Sequence, residues 1–176
     1  MVVSLLFINS LQAQNNLYKI KESKVSFTSD APVELITAYS EELSGLLNIS
    51  NNEFAFKINM NSFEGFNSAL QKTHFKENYM ETDKFPYAIF QGHIKEAVDF
   101  SKNATYTVNA KGAFNVHGVE KERTIKSTVS VTTGIINIKS EFSIMLEDYN
   151  IKIPSIVYQK VAEEIFVTVD IKMIPK

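Results

Sequence analysis

Three histidines, His74, His93 and His117, are the side chains of this chain best suited to proton transfer or metal ligation near neutral pH. Their spacing argues against both uses. No His-x-His or His-Glu-x-x-His pattern occurs, and with no cysteine a zinc site would have to gather its ligands from distant elements. His74 sits in a helical stretch, His93 on the polar face of a strand, and His117 at a turn. For His117 the simplest reading is an imidazole hydrogen-bonded to loop backbone, beside a Gly118 in a conformation other residues disfavour. The carboxylate pairs Glu41-Glu42, Glu147-Asp148 and Glu163-Glu164 are adjacent, so on a strand they face opposite ways and in a loop they are solvated. There is no Gly-x-Ser-x-Gly, no Gly-rich phosphate loop and no dinucleotide fingerprint. The sequence therefore points to neither an enzyme nor a resident cofactor or metal, and a hydrolytic centre using His74 or His117 is left as a weak alternative.

Function must then rest on apolar surface, and strands are what position it. The stretch Ala104 to Val131 reads as two long antiparallel strands meeting near His117-Gly118. Tyr106, Val108, Ala110, Phe114 and Val116 fall on one face of the first strand, and Ile125, Val129 and Val131 repeat the pattern in the second. A two-stranded ribbon is not stable alone, so further strands must cover that face. Alternation supplies them at Leu17 to Ile20, Val25 to Ser29, Val33 to Tyr39, Gly45 to Ile49, Phe54 to Met60, Tyr87 to Ile94, Ile136 to Leu146 and Ile165 to Met173. Phe63 to Met80 interrupts them with helix formers. At helical spacing Phe63, Phe66 and Leu70 share one side while Phe75 and Tyr79 lie nearly opposite, as in a plug across a barrel end. Ser155 to Glu164 has room for a helical turn. About eight to ten antiparallel strands argue for a barrel or a sandwich.

The 176 residues, 44% of them hydrophobic, suit one domain with a substantial core. A formal net charge of −2 without a Lys/Arg cluster gives no footprint for nucleic acid or an anionic membrane surface. Val2 to Leu11 is an apolar run too short to span a bilayer, and Leu11-Gln12-Ala13-Gln14 follows it with a small residue where a signal peptide is cleaved. The expectation is a signal peptide over residues 1–13, a single mature domain over 14–176 and a periplasmic or secreted protein without an integral membrane segment. No Lys or Arg precedes the apolar run, a departure from the usual signal-peptide layout.

Thirteen Phe and seven Tyr with no Trp supply flat apolar walls. Inward positions Phe54, Phe56, Ile58, Phe90, Tyr106, Val108, Phe114, Phe142, Ile144 and Val167 are the candidate lining of a tunnel, with Phe75, Tyr79 and Met80 at its mouth. An eight-stranded barrel is just wide enough to hold one small ligand or to be filled by its own side chains. The same aromatics could equally form a filled barrel or sandwich that serves as a stress-related interaction module. Lys111, Lys121 and Arg123 near the turn are candidates for holding an anionic head group.

Two motifs extend this reading. His74-Phe75-Lys76-Glu77-Asn78-Tyr79-Met80-Glu81-Thr82-Asp83-Lys84-Phe85-Pro86, followed by Ala88-Ile89-Phe90, and Gly112-Ala113-Phe114-Asn115-Val116-His117-Gly118-Val119-Glu120-Lys121 resemble, in order and spacing, motifs of the YceI-like proteins. The resemblance covers Leu17 to Lys172 and departs from the family pattern near Ser44 to Asn52. It implies an exported antiparallel eight-stranded lipocalin-like barrel, capped at one end by a short helical excursion. The implied role is to bind or carry a polyisoprenoid, isoprenoid quinone or fatty-acid-like ligand without acting on it. A homodimer is left open.

Overall fold

Alternation of apolar and polar residues carries through most of the chain and builds one continuous sheet. The computed structural model describes residues 16–176, so the apolar run Val2 to Leu11 and the expected cleavage after Ala13 lie outside the described residues. Strands β1 (Leu17–Asp30), β2 (Leu35–Ser40), β3 (Ser44–Asn48), β4 (Glu53–Asn59), β5 (Tyr87–Ile94), β6 (Ala104–Val116), β7 (Val119–Thr132), β8 (Ile135–Met145) and β9 (Glu164–Pro175) all pair antiparallel. β9 returns to β1, from Tyr18 opposite Pro175 to Ser29 opposite Ile165, and closes the sheet on itself. β2 and β3 lie end to end along the other edge of β1, pairing with Val25–Asp30 and Leu17–Lys19. Nine segments thus fill eight positions of a closed barrel, and closure leaves no long exposed edge.

β1 reads as two strands in the sequence because a bulge between Ile20 and Glu22 shifts its register against β9. Tyr18 and Ile20 face inward before the bulge, and Val25, Phe27 and Ser29 after it. The β6–β7 hairpin turns on two residues, with φ of 52° at His117 and 72° at Gly118, as a type I′ turn requires. A Cβ on Gly118 would lie 2.5 Å from the Phe85 ring, so the glycine also makes room for the chain that docks there. Elsewhere the sheet bends so tightly that Gly92 and Gly112 meet as direct partners, and a Cβ on Gly112 would lie 2.0 Å from the Gln91 carbonyl oxygen.

The helical excursion is shorter than its composition suggests. Ser68 caps α1 (Ala69–His74) by accepting from Gln71 N at 3.2 Å, and a π-helical turn, Phe75–Tyr79, follows directly. Phe63 and Phe66 precede the helix in non-helical chain, where Tyr39 and Glu64 form a β-bridge. This corrects the expected division of faces: Phe75 packs with Phe63 and Phe66, at 5.8 and 5.1 Å between ring centroids, while Leu70 is largely exposed. The helical period does not reach back to residue 63, and the wider π turn rotates the residues after His74.

One end of the barrel is solid. Leu47, Val108, Val129, Ile136, Ile171 and Met173 are almost fully buried there with Tyr18, Phe54 and Phe100. Phe100 comes from the loop after β5, which is pinned at several points. Glu96 accepts from Asn109 N at 2.6 Å and Nδ2 at 2.7 Å, and Asp99 accepts from Ser101 N at 3.0 Å and pairs with Lys102 at 2.8 Å. The Lys102 hydrogen bond, helped by Ser101, lowers the Asp99 carboxyl to about 2. A short 3-10 turn, Ser155–Val157, lies in the segment expected to hold a helical turn.

Candidate functional site

Above the solid end the barrel is hollow. A cavity of about 490 Å³ runs from Leu47, Val108 and Ile171 to an opening framed by Glu34, Leu70 and Lys160. On β9 alone its lining extends from Ile165 to Ile171. That is about 20 Å of strand, or about 15 Å of depth at a strand tilt of about 40°. Small lining residues keep the hollow open, with Ala110, Ser127 and Ser140 at inward positions on β6, β7 and β8 and Ala88 nearer the opening on β5, opposite Ile58. Both serines are accounted for by each other, with Oγ atoms 2.7 Å apart, so the deep wall presents no unpartnered hydroxyl.

Aromatic rings form a band around the hollow. Phe54 stacks on Phe56 at 5.3 Å and meets Phe90 at 4.9 Å, Phe90 meets Phe114 edge-on at 5.7 Å, and Phe114 meets Phe142 edge-on at 5.9 Å. A second group covers part of the open end, where Phe75 stacks on Phe27 at 5.4 Å and contacts Phe63 and Phe66. The lining includes Phe54, Phe56, Ile58, Phe90, Val108, Phe114, Phe142, Ile144 and Val167, and also Phe75, Tyr79 and Met80 on the side of the excursion. Burial raises the pKa of the Tyr79 hydroxyl. Tyr106 does not line the cavity: it packs against the solid end and its hydroxyl donates to Asp99 O at 3.2 Å. Sequence reasoning missed Phe27, Phe63, Phe66, Ser127 and Ser140 as lining. Alternation alone places Phe27, Ser127 and Ser140 inward, whereas only the path of the loop brings Phe63 and Phe66 to the opening.

The polar candidates are dispersed. His117 Nδ1 lies 3.0 Å from Tyr149 O and Nε2 lies 3.1 Å from Glu81 Oε2, with Phe85 edge-on to the ring at 4.6 Å. That imidazole fastens the segment before β5 and the segment after β8 to the hairpin turn. Hydrogen bonds from Lys84 and then from His117 lower the Glu81 pKa. His74 lines the cavity near its mouth and His93 sits in an outer hollow with Lys111, so the three histidines do not converge. No cluster of three His, Asp or Glu side chains able to hold a metal ion occurs among the described residues. Lys111 pairs with Glu122 at 2.8 Å, Lys121 pairs with Asp148, and Arg123 donates to Ser143 O at 2.7 Å. None of these three lines the cavity, and the lysine that does is Lys160.

A family model described as the YceI-like domain matches residues 18–173. The chain belongs to the YceI-like family. Among solved structures, the YceI-like barrel is similar to a polyisoprenoid binding domain from Saccharophagus degradans implicated in plant cell wall breakdown. The two share a TM-score of 0.77 at 16% identity over 90% of this chain and 98% of that one. Burkholderia cenocepacia BcnA gives a TM-score of 0.70 at 16% identity, over 85% of this chain and 95% of BcnA. A Campylobacter jejuni YCEI protein gives 0.54 at 12% identity, over 98% and 91% of the two chains. These likenesses establish the fold. No curated protein sequence matches the chain.

Proposed function

We propose that this YceI-like barrel binds and carries a long apolar molecule, a polyisoprenoid or similar lipid, in its interior and performs no chemistry on it. The observation that carries the reading is the elongated cavity, apolar along its depth, with its polar groups either paired or gathered at the opening. Its volume of about 490 Å³ is in keeping with small-molecule pockets, which span about 300–1,000 Å³. A solid interior would have favoured an interaction module instead. The polyisoprenoid binding named for the Saccharophagus degradans domain supports the choice of ligand class. The apolar run Val2 to Leu11 and the small residue at Ala13 support export to the periplasm or beyond.

Affinity on this reading comes from burying chain length. Each buried CH₂ contributes about 0.8 kcal/mol, so ten carbons offer roughly 8 kcal/mol before the cost of immobilisation. No ion pair is required. The test is a titration with ligands of one head group and increasing chain length, at two ionic strengths, on the wild type and on Phe142→Asp. Affinity should rise with chain length, change little with salt and fall when a carboxylate is placed on the wall. Affinity indifferent to chain length but steeply weakened by salt would defeat the reading. Mass spectrometry of material that co-purifies with the protein would then name the natural ligand.

A further inference from the structure

Three segments frame the mouth of the cavity and are tied to one another. The turn after β1 meets the segment before β9 where Val33 N donates to Gln159 O at 3.1 Å, and Ala162 N donates to Ser29 Oγ at 2.8 Å. It meets the excursion where Gln71 Nε2 donates to Glu34 Oε1 at 2.5 Å and Asn67 Nδ2 donates to Leu35 O at 2.9 Å. From these segments Ile36, Leu70 and Val157 reach into the cavity wall. The same segments turn Val33, Leu35, Leu70, Ile156 and Tyr158 outward, at 62, 56, 64, 91 and 59% exposure. Five of the nine large apolar side chains exposed among the described residues therefore stand on the rim of one opening. Single exposed apolar residues need no explanation, but a collar of them around an apolar cavity does.

We propose that this collar docks on the surface of a lipid bilayer and inserts Ile156 and Tyr158, so that a long apolar ligand passes between bilayer and cavity without crossing water. The inference rests on the carrier reading above. Two observations select a bilayer over a protein partner. Leu70 belongs both to the cavity wall and to the exposed collar, so at this point an apolar side chain joins the interior to the outside between the polar groups of the opening. The charges of these segments are mixed, with Glu34 and Lys160 both at the cavity lining and Lys72 paired with Glu64, so no single-sign patch calls for a complementary partner. Tyr158 has the amphipathic ring favoured at membrane interfaces, and Lys160 beside it has an apolar stem with a charged head.

The chain contains no tryptophan, so Ile156→Trp introduces a sole indole reporter at the collar and Leu46→Trp introduces one at the solid end. With phosphatidylcholine vesicles the emission of Ile156→Trp should shift to the blue and that of Leu46→Trp should not. The double variant Ile156→Asp/Tyr158→Asp should partition onto vesicles about tenfold or more weakly, with or without phosphatidylglycerol, because two apolar anchors are lost. Its uptake of detergent-dispersed farnesol and oleic acid should match the wild type, since neither residue lines the cavity. An unshifted emission at position 156, an equal shift at position 46, or partition unchanged in the double variant would overturn the inference. So would a dimer abolished by the double variant in a protein that ignores vesicles, which would assign the collar to a second copy. Failure of the wild type to take up either detergent-dispersed ligand would instead defeat the carrier reading, and it is read independently of vesicle binding.

Discussion

The two ends of this barrel are built from the same strands and the same alternation, yet one is a solid core and the other an opening. At the solid end Leu47, Ile136 and Met173 have no measurable exposure, and the loop carrying Phe100 is locked by the carboxylates of Glu96 and Asp99. At the open end α1 has no buried residue, and the loops beside it turn apolar side chains outward. The difference lies in the size of the inward residues and in the connections between strands. Ile, Leu, Met and Phe converge at one end, small residues line the wall between, and at the other end the excursion after β4 and the segment after β8 stand beside the tight β6–β7 turn. Stability and ligand access are thus assigned to opposite ends of one sheet.

The largest expected effect belongs to the solid end. Leu47→Ala should cost about 2–5 kcal/mol, because the packed cluster around it has little freedom to collapse into the vacancy. Urea unfolding measures this, and a cost below that of Phe75→Ala at the open end would abolish the division of labour. Phe75→Ala should cost about 2 kcal/mol, since its ring is only partly buried, while speeding both uptake and release of ligand. Stopped-flow kinetics with a fluorescent fatty acid separates the two effects, and unchanged rates in a destabilised protein would make Phe75 simple core.

The smallest effect concerns the strap that joins the excursion to the hairpin turn. Glu81 has its pKa lowered by hydrogen bonds from Lys84 and then His117, so its contribution is present above the ordinary glutamate range and is lost as pH falls through its lowered value. Acid should therefore loosen residues 81–85 from His117 while the apolar cluster of Leu47, Ile136 and Met173, which contains no carboxylate, stays packed. NMR titration of the Phe85 and His117 rings reads this directly, and Glu81→Gln should remove the transition. Simultaneous loss of signals from Leu47 and Met173 would show that the two ends do not respond separately.

Much of the barrel was legible in the sequence. Alternation in Ala104–Val116 and Val119–Thr132, with His117-Gly118 between them, specifies a hairpin because side chains on a strand face opposite sides in turn and only a tight turn of positive φ returns the chain. The inward placement of Phe54, Phe90, Phe114 and Phe142 follows from the same period. The bulge in β1 was not legible, since one extra residue changes the phase without changing composition. Nor was the position of Phe63 and Phe66, because the α-helical period does not hold for residues that precede the helix. Tyr106 has the correct parity for the lining but lies too near the solid end to reach the cavity, because parity gives a face and not a height along the axis.

By itself the sequence determined that antiparallel strands would enclose an apolar interior, because alternation fixes which side chains share a face whatever the strands' neighbours are. Whether that interior is filled or hollow was decided only in three dimensions. It depends on side-chain volumes contributed by residues apart in sequence, Ala110, Ser127 and Ser140 among them, meeting on neighbouring strands of the wall. The opening was likewise a tertiary outcome, since it exists only where Val33, Leu70 and Ile156, from three segments separated in sequence, come to one rim.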